Sequence, residues 1–160
     1  MKKGEIYEGI IEKVDFPNKG YVCIDDQKVL IKNGIPGQKV RFMIQKKRSG
    51  RAQGRILEVL EKSPFETRDA VCKNFPACGG CMYQTMSYEN QLVMKETQIR
   101  ELLEEALVRG GQVDKNGQAD FDWEGIHGSP IEFGYRNKME FSFGDEYKDG
   151  PLSLGLHKKG

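Results

Sequence analysis

No stretch of this 160-residue sequence is apolar for long enough to cross a bilayer, and hydrophobic residues make up only 38% of it. Its opening, Met1-Lys2-Lys3-Gly4-Glu5, is basic, but an alternating segment follows where a secretory signal would carry an apolar core. A cytoplasmic chain is therefore expected, and in that compartment its four cysteines are expected as ligands or free thiols rather than bridges. Also missing is a glycine-rich loop after a strand, the usual cradle of a dinucleotide-like cofactor. Histidine occurs only at His127 and His157, each isolated. There is one C-x2-C pair, where structural zinc sites usually combine two such knuckles.

What is present centres on Cys72-Lys-Asn-Phe-Pro-Ala-Cys78-Gly-Gly-Cys81, three thiols spaced C-x5-C-x2-C. The C-x2-C end lets two sulfurs reach one centre across a tight turn, and Gly79 and Gly80 are expected to supply its positive φ and room for a bulky inorganic group. A metal site is the leading reading, against three buried or unpaired thiols or one disulfide with a spare. Zinc and an iron–sulfur cluster both want four ligands. Cys23, His127 and His157 are the remaining candidates, Cys23 lying in a region that reads as a separate strand domain.

The formal net charge of +1 hides an asymmetry. Residues 1–64 carry 14 Lys and Arg against 8 Asp and Glu, a balance of +6; residues 65–160 carry 11 against 16, a balance of −5. A basic module joined to an acidic one suggests a polyanion for the first. A well-solvated small domain is the plain alternative.

Residues 1–62 read as five short strands punctuated by turns, the pattern of a small closed or partly open barrel. Ile6 to Val14 needs a register change, placed at a bulge about Gly9. Tyr21 to Ile24 and Lys28 to Lys32 form a hairpin, Val40, Phe42 and Ile44 alternate cleanly, and Ser49-Gly50 turns the chain into Arg51 to Leu60. Lys46, Lys47, Arg48, Arg51 and Arg55 fall within ten positions that hold no acid. With Ser49-Gly50 as the turn, Arg48 faces Arg51 and Lys46 faces Gln53. Like charges opposed across a hairpin are destabilising until a partner neutralises them, and phosphate oxygens do so. A solvated hairpin tip is the competing reading.

A barrel of this kind followed by C-x5-C-G-G-C-x-Y-Q resembles the RNA uracil-5-methyltransferase family, whose first domain is a TRAM-type RNA-binding barrel. The likeness runs through Cys72, Cys78, Gly79, Gly80, Cys81 and Gln84, then Tyr88, Gln91 and Lys95, and the later Gly134-Tyr135-Arg136-Asn137-Lys138-Met139. It implies that Cys72, Cys78 and Cys81 hold a 4Fe-4S cluster whose fourth cysteine lies outside this chain. It also implies methylation of uracil C5 in RNA, ribosomal in preference to transfer, with S-adenosylmethionine bound in a domain absent from these 160 residues. Arg136 and Lys138 become candidate phosphate contacts, and no catalytic residue can be named. The expected architecture is α+β, mainly β with one long helix: a five-stranded TRAM- or OB-like barrel over residues 1–63, then the cysteine motif, a helix and an incomplete central domain over 64–160. The chain is expected to be a truncated N-terminal part, inactive alone, with RNA as its partner and no obligate protein partner. A stand-alone RNA-binding module with structural zinc, His157 as fourth ligand, is the alternative; an interaction fragment with a merely solvating hairpin is another.

Ser87 is the expected N-cap of the helix, with Glu89 in its first turn. Leu92, Ile99, Leu102, Leu103, Ala106 and Leu107 form the face expected to meet the core, and Arg109-Gly110-Gly111 ends the run. After a loop over 110–122, Trp123 and Ile126 are expected to return to the core. From Phe133 onward strand reappears, Met139, Phe141 and Phe143 pairing in a hairpin with Leu152, Leu154 and Leu156.

Overall fold

The structure, a computed structural model, describes residues 1–48 and 50–159. Its first half is a run of strands: β1 (Ile6–Ile10), β2 (Lys13–Asp15), β3 (Lys19–Ile24), β4 (Gln27–Lys32), β5 (Lys39–Arg48) and β6 (Arg51–Glu61). They form one six-stranded sheet ordered β1-β5-β6-β4-β3-β2, antiparallel except where β4 runs parallel to β6. The sheet curls into a half-barrel, bringing Gly9 of β1 against Val22 of β3, where a Cβ on Gly9 would meet Val22 Cγ1 at 2.3 Å.

Six strands replace the expected five because Ile6 to Val14 is two strands. Gly9 pairs regularly with Val40, so there is no bulge there. The break comes at Ile11, which is fully buried; its N–H donates to the Gln38 carbonyl at 2.9 Å, and the next N–H, of Glu12, donates to Tyr21 at 2.9 Å. The chain thus exchanges β5 for β3 as its neighbour within two residues. Inward positions run Tyr7, Gly9, Ile11 and then Val14, and that slipped step is what spoils the alternation in the sequence.

Val14, Val22, Val29, Ile31, Val40, Phe42, Ile44 and Ala52 fill the curl. Gly54 of β6 makes room for them, since a Cβ there would lie 2.7 Å from Phe42 Cδ2 and 2.8 Å from Ile31 Cδ1. Beyond residue 63 the one buried apolar side chain among the described residues is Met86.

Helix α1 (Tyr88–Arg109) begins as expected, Ser87 accepting the Asn90 N–H and Glu89 standing in the first turn. Its apolar stripe does not meet a core, which corrects the sequence reading. Ile99, Leu102 and Leu103 are exposed, and the buried residue of the helix is Gln98. Gln98 Nε2 donates to the Val14 carbonyl at 2.6 Å, and Lys13 bridges to Glu101 at 2.7 Å, so α1 lies on the half-barrel by a polar face. A second tie runs through Glu66, whose carboxylate accepts from Gln38 Nε2, the Ser63 N–H and Thr85 Oγ1 at 2.7–2.8 Å. Trp123 returns to the helix, donating to Glu96 at 2.6 Å, while Ile126 stays exposed. The final hairpin is shorter than expected: β7 (Ser142–Gly144) pairs with β8 (Ser153–Gly155), leaving Lys138 to Phe141 outside any strand and Phe143, Leu152 and Leu154 open to solvent. No described helix is long and apolar enough to cross a membrane.

Candidate nucleic-acid interface and cysteine loop

Strands β5 and β6 are the longest of the sheet, and their shared end is a ribbon that β4 flanks along β6 at Ala52, Gln53 and Gly54. Its register places Arg48 opposite Arg51, Lys47 opposite Ala52 and Lys46 opposite Gln53, as the expected turn requires; Gly50 has φ +75°, and Ser49 lies outside the described residues. A register shift between Ile44 and Lys46 separates this ribbon from the buried part of β5. Arg55 sits opposite Met43, one step closer to the core. All of Lys46, Lys47, Arg48, Arg51 and Arg55 are exposed, and among the described residues none of them forms an ion pair.

The contrast with the other end of the same strands is informative. Lys39 pairs with Glu61 at 2.9 Å, and Arg41 holds both Glu8 at 2.9 Å and Glu58 at 2.6 Å. Cations near the closed end of the sheet are neutralised in place, whereas those on the ribbon are not. Lys2 and Lys3 join the ribbon cations around one groove, a contribution that the sequence reading missed. The signal for it was local: two lysines just before a glycine at the head of β1.

Arg136 and Lys138 lie elsewhere. They line a separate open hollow of about 300 Å³ with Met139, Glu140 and Leu156, and Lys138 pairs with Glu140 at 2.7 Å. Both stand in irregular chain rather than on the strand expected for them.

The cysteine loop is braced by side chains that the sequence left without a role. Gln84 Oε1 accepts the Cys72 N–H at 3.0 Å, and Gln91 Nε2 donates to the carbonyls of Tyr83 and Met86. Tyr83 donates to Asn18 Oδ1 at 3.0 Å, and burial pushes its phenol up to about 12. The loop is also sewn to the last residues of the chain: the Gly79 N–H donates to the His157 carbonyl and the Lys159 N–H to that of Ala77, each at 2.9 Å. Lys159 lies 5.1 Å from the Phe75 ring centroid, and burial lowers its pKa against the opposing pull of Cys81 and Cys78. Neither Gly79 nor Gly80 takes a positive φ, contrary to expectation. Gly79 is needed for space instead, because a Cβ there would sit 2.6 Å from the His157 carbonyl oxygen.

In kind, these donors suit an iron–sulfur or zinc centre: three free thiols on one loop, with the Gly80 N–H 3.4 Å from Cys78 Sγ. Cys72 and Cys81 are exposed and Cys78 half-buried, and no group of three or more Cys, His, Asp or Glu side chains among the described residues is gathered closely enough to hold a metal ion. Cys23 sits on β3 opposite Lys28, and His157 meets the loop through its backbone.

No family model matches the chain. It is nevertheless similar along its whole length to longer proteins. An uncharacterised RNA methyltransferase of Clostridium tetani is 45% identical over 160 residues, all of this chain and 33% of that protein. A second, from Caldanaerobacter subterraneus subsp. tengcongensis, is 44% identical over the same span and again matched over 33% of its length. A third, from Clostridium acetobutylicum, is 38% identical over 159 residues, covering 99% of this chain and 32% of that protein. The chain therefore spans about a third of the length of the curated relatives it matches, proteins that carry the name RNA methyltransferase.

Proposed function

We propose that this chain is the RNA-gripping part of an S-adenosylmethionine-dependent RNA uracil-5-methyltransferase of the cytoplasm that acts on ribosomal RNA. The observation that carries the reading is the end-to-end similarity to proteins named RNA methyltransferases. The unpaired cations of the β5–β6 ribbon support RNA as the partner, because guanidinium and ammonium groups without acidic neighbours are free to meet phosphate oxygens. The barrel is TRAM-like in this reading, and residues 64–160 begin a central domain in which Arg136 and Lys138 add phosphate contacts.

The division of labour follows from the residues at hand. Lys46, Lys47, Arg48, Arg51 and Arg55 hold the backbone of the RNA and fix where it enters, contacts that position without reading sequence. S-adenosylmethionine, bound by the remainder of the protein, supplies the methyl group for uracil C5. Cys72, Cys78 and Cys81 are proposed as three ligands of a 4Fe-4S cluster whose fourth ligand lies outside this chain. The spacing of the thiols and the amide directed at Cys78 support that assignment.

The test uses two proteins. The 160-residue chain should bind RNA with strong salt dependence and transfer no methyl group, while the full-length protein should yield 5-methyluridine on nucleoside analysis. Methyl transfer by the chain alone, or a different methylated nucleoside from the full protein, overturns the proposal. A second reading, a structural zinc site completed by His157, draws on the hydrogen bond that brings residue 157 to Gly79. Metal analysis after anaerobic purification separates the two: iron with acid-labile sulfide supports the cluster, and stoichiometric zinc supports the module.

A further inference from the structure

Residues 2–5 form a tight turn, closed by the Glu5 N–H donating to the Lys2 carbonyl at 3.2 Å, with Gly4 at φ +91°. A positive φ at the third position of such a turn is the conformation that glycine adopts without strain. The turn is clamped to β5: the Gly4 N–H donates to the Ile44 carbonyl at 2.8 Å, and the Ile44 N–H donates to the Glu5 carbonyl at 2.9 Å. Lys47 Nζ reaches the Met1 carbonyl at 3.0 Å, and Met1 itself packs against the barrel core. The first residues are therefore a fixed wall beside the ribbon.

Between that wall and the end of β5 lies an open groove of about 600 Å³, lined by Lys2, Lys3, Gln45, Lys46, Lys47 and Arg48 with Met1 at its base. Five of these residues are cationic, and among the described residues none of the five is in a salt bridge. The nearby acid, Glu5, is already engaged. Its carboxylate accepts from the Tyr7 hydroxyl and the Lys2 backbone N–H, each at 2.6 Å, and lies 3.7 Å from the terminal ammonium. It forms no salt bridge with the side chain of Lys2 or Lys3, although its pKa is lowered by the Tyr7 hydrogen bond and, more weakly, by the Lys2 charge.

We infer that the groove between the Lys2–Gly4 turn and Lys46–Arg48 is a seat for the phosphodiester backbone of a single RNA strand, which makes Lys2 and Lys3 part of the interface. The inference rests on the reading of the β5–β6 ribbon as an RNA contact and extends it to the other wall. The lining also dictates how the strand is read. Among the described residues no aromatic ring lines the groove to give a platform on which bases could stack, and the long lysine stems present charge without a fixed fork. Such a groove grips phosphate and is indifferent to base identity.

Fluorescence anisotropy with labelled 12-nucleotide oligouridylate and oligocytidylate tests this on the full chain between about 50 and 200 mM KCl. The variants are Lys2→Gln with Lys3→Gln, and, separately, Lys46→Gln with Arg48→Gln. Each lost phosphate contact to a single strand should flatten the plot of log K against log salt by about 0.7, so the first double variant should lose about 1.4 in slope. Across that salt range its affinity should fall about sevenfold less than that of the unsubstituted chain. The two oligonucleotides should bind equally. An unchanged slope for the Lys2/Lys3 variant, with a flattened one for Lys46/Arg48, overturns the second wall and leaves the ribbon reading standing. Unchanged slopes for both overturn the inference together with that reading. Tighter binding to a duplex of equal length, or a strong preference for one homopolymer, overturns the assignment of a single strand held by its backbone. All four side chains are exposed, so circular dichroism should show no loss of fold in either variant.

Discussion

Replacing Gln98 by Met should destabilise the chain more than truncating the leucines of the same helix. Methionine matches glutamine closely in volume but removes the Nε2 donor, leaving the Val14 carbonyl without the partner it has at 2.6 Å. Gln98 is 7% exposed and Val14 3%, so water cannot take the vacated position without opening the contact. A buried acceptor stripped of its donor costs about 1–3 kcal/mol. For a chain of this size about 2 kcal/mol corresponds to a midpoint lowered by about 4–8 °C. Leu102 is 44% exposed and Leu103 41%, so Leu102→Ala and Leu103→Ala should each stay within about 1 kcal/mol, well short of the ~2–5 kcal/mol of a fully buried leucine. Urea unfolding followed by far-ultraviolet circular dichroism reports on the helix. The single tryptophan, Trp123, bonded to Glu96, gives a second probe of the same element. If Gln98→Met were neutral and the leucine truncations costly, the helix would be docked by its apolar stripe and the polar-face account would be wrong.

Three further outcomes are expected. Gly54→Ala should lower the unfolding free energy in urea by about 1–3 kcal/mol, since the new Cβ would press on Phe42 and Ile31 in a packed core, and an unchanged midpoint would show slack there. The Tyr83 phenol, held neutral by burial, gives stability that is fully present below its ordinary value of 10.0 and is lost as pH rises from there through about 12; Tyr83→Phe should flatten that loss in alkaline unfolding curves. Arg41→Ala, which breaks exposed pairs to Glu8 and Glu58, should cost about 1 kcal/mol or less and leave the salt slope of RNA binding unchanged; a flattened slope would mean that the paired cations also meet RNA.

Elements whose apolar period is set locally were legible in the sequence. Val40, Phe42 and Ile44 alternate and are buried, and the Ser87 cap opens the helix where expected. The opposition of Arg48 and Arg51 followed from counting across the turn and is present. What escaped depends on contacts distant in sequence. The exchange of neighbours at Ile11 is set by β3 and β5, which come later in the chain, so a bulge at Gly9 was the nearest local explanation for a broken pattern. An apolar stripe on a helix says that a face wants cover, not that this chain covers it, and here the docking face is chosen by one glutamine and one lysine–glutamate pair. The cysteine motif shows the same limit. Spacing fixes how close two thiols can come, while the path of the loop is held by Gln84 and by the backbone of residues 157–159.

Charge on this half-barrel separates into two kinds, and the separation bears on function. Along β5, Lys39 and Arg41 find carboxylates on β1 and β6, yet a few residues further on Lys46, Lys47 and Arg48 find none among the described residues, although β6 is still alongside. If solvation were the only demand, an acid at Gln53 would relieve the repulsion between Arg48 and Arg51 without disturbing the register. Instead β6 presents arginine, alanine, glutamine, glycine and arginine over that span, and its glutamates begin at Glu58, where the sheet is closed. The N-terminal turn adds two more cations to the same end and diverts Glu5 to Tyr7 and the Lys2 amide. An exposed ribbon that concentrates one sign of charge costs stability by self-repulsion, and a bound polyanion converts that cost into affinity. For this reason neutralising Lys46 and Arg48 should raise the unfolding midpoint slightly while weakening RNA binding. A solvating tip would show the first change without the second.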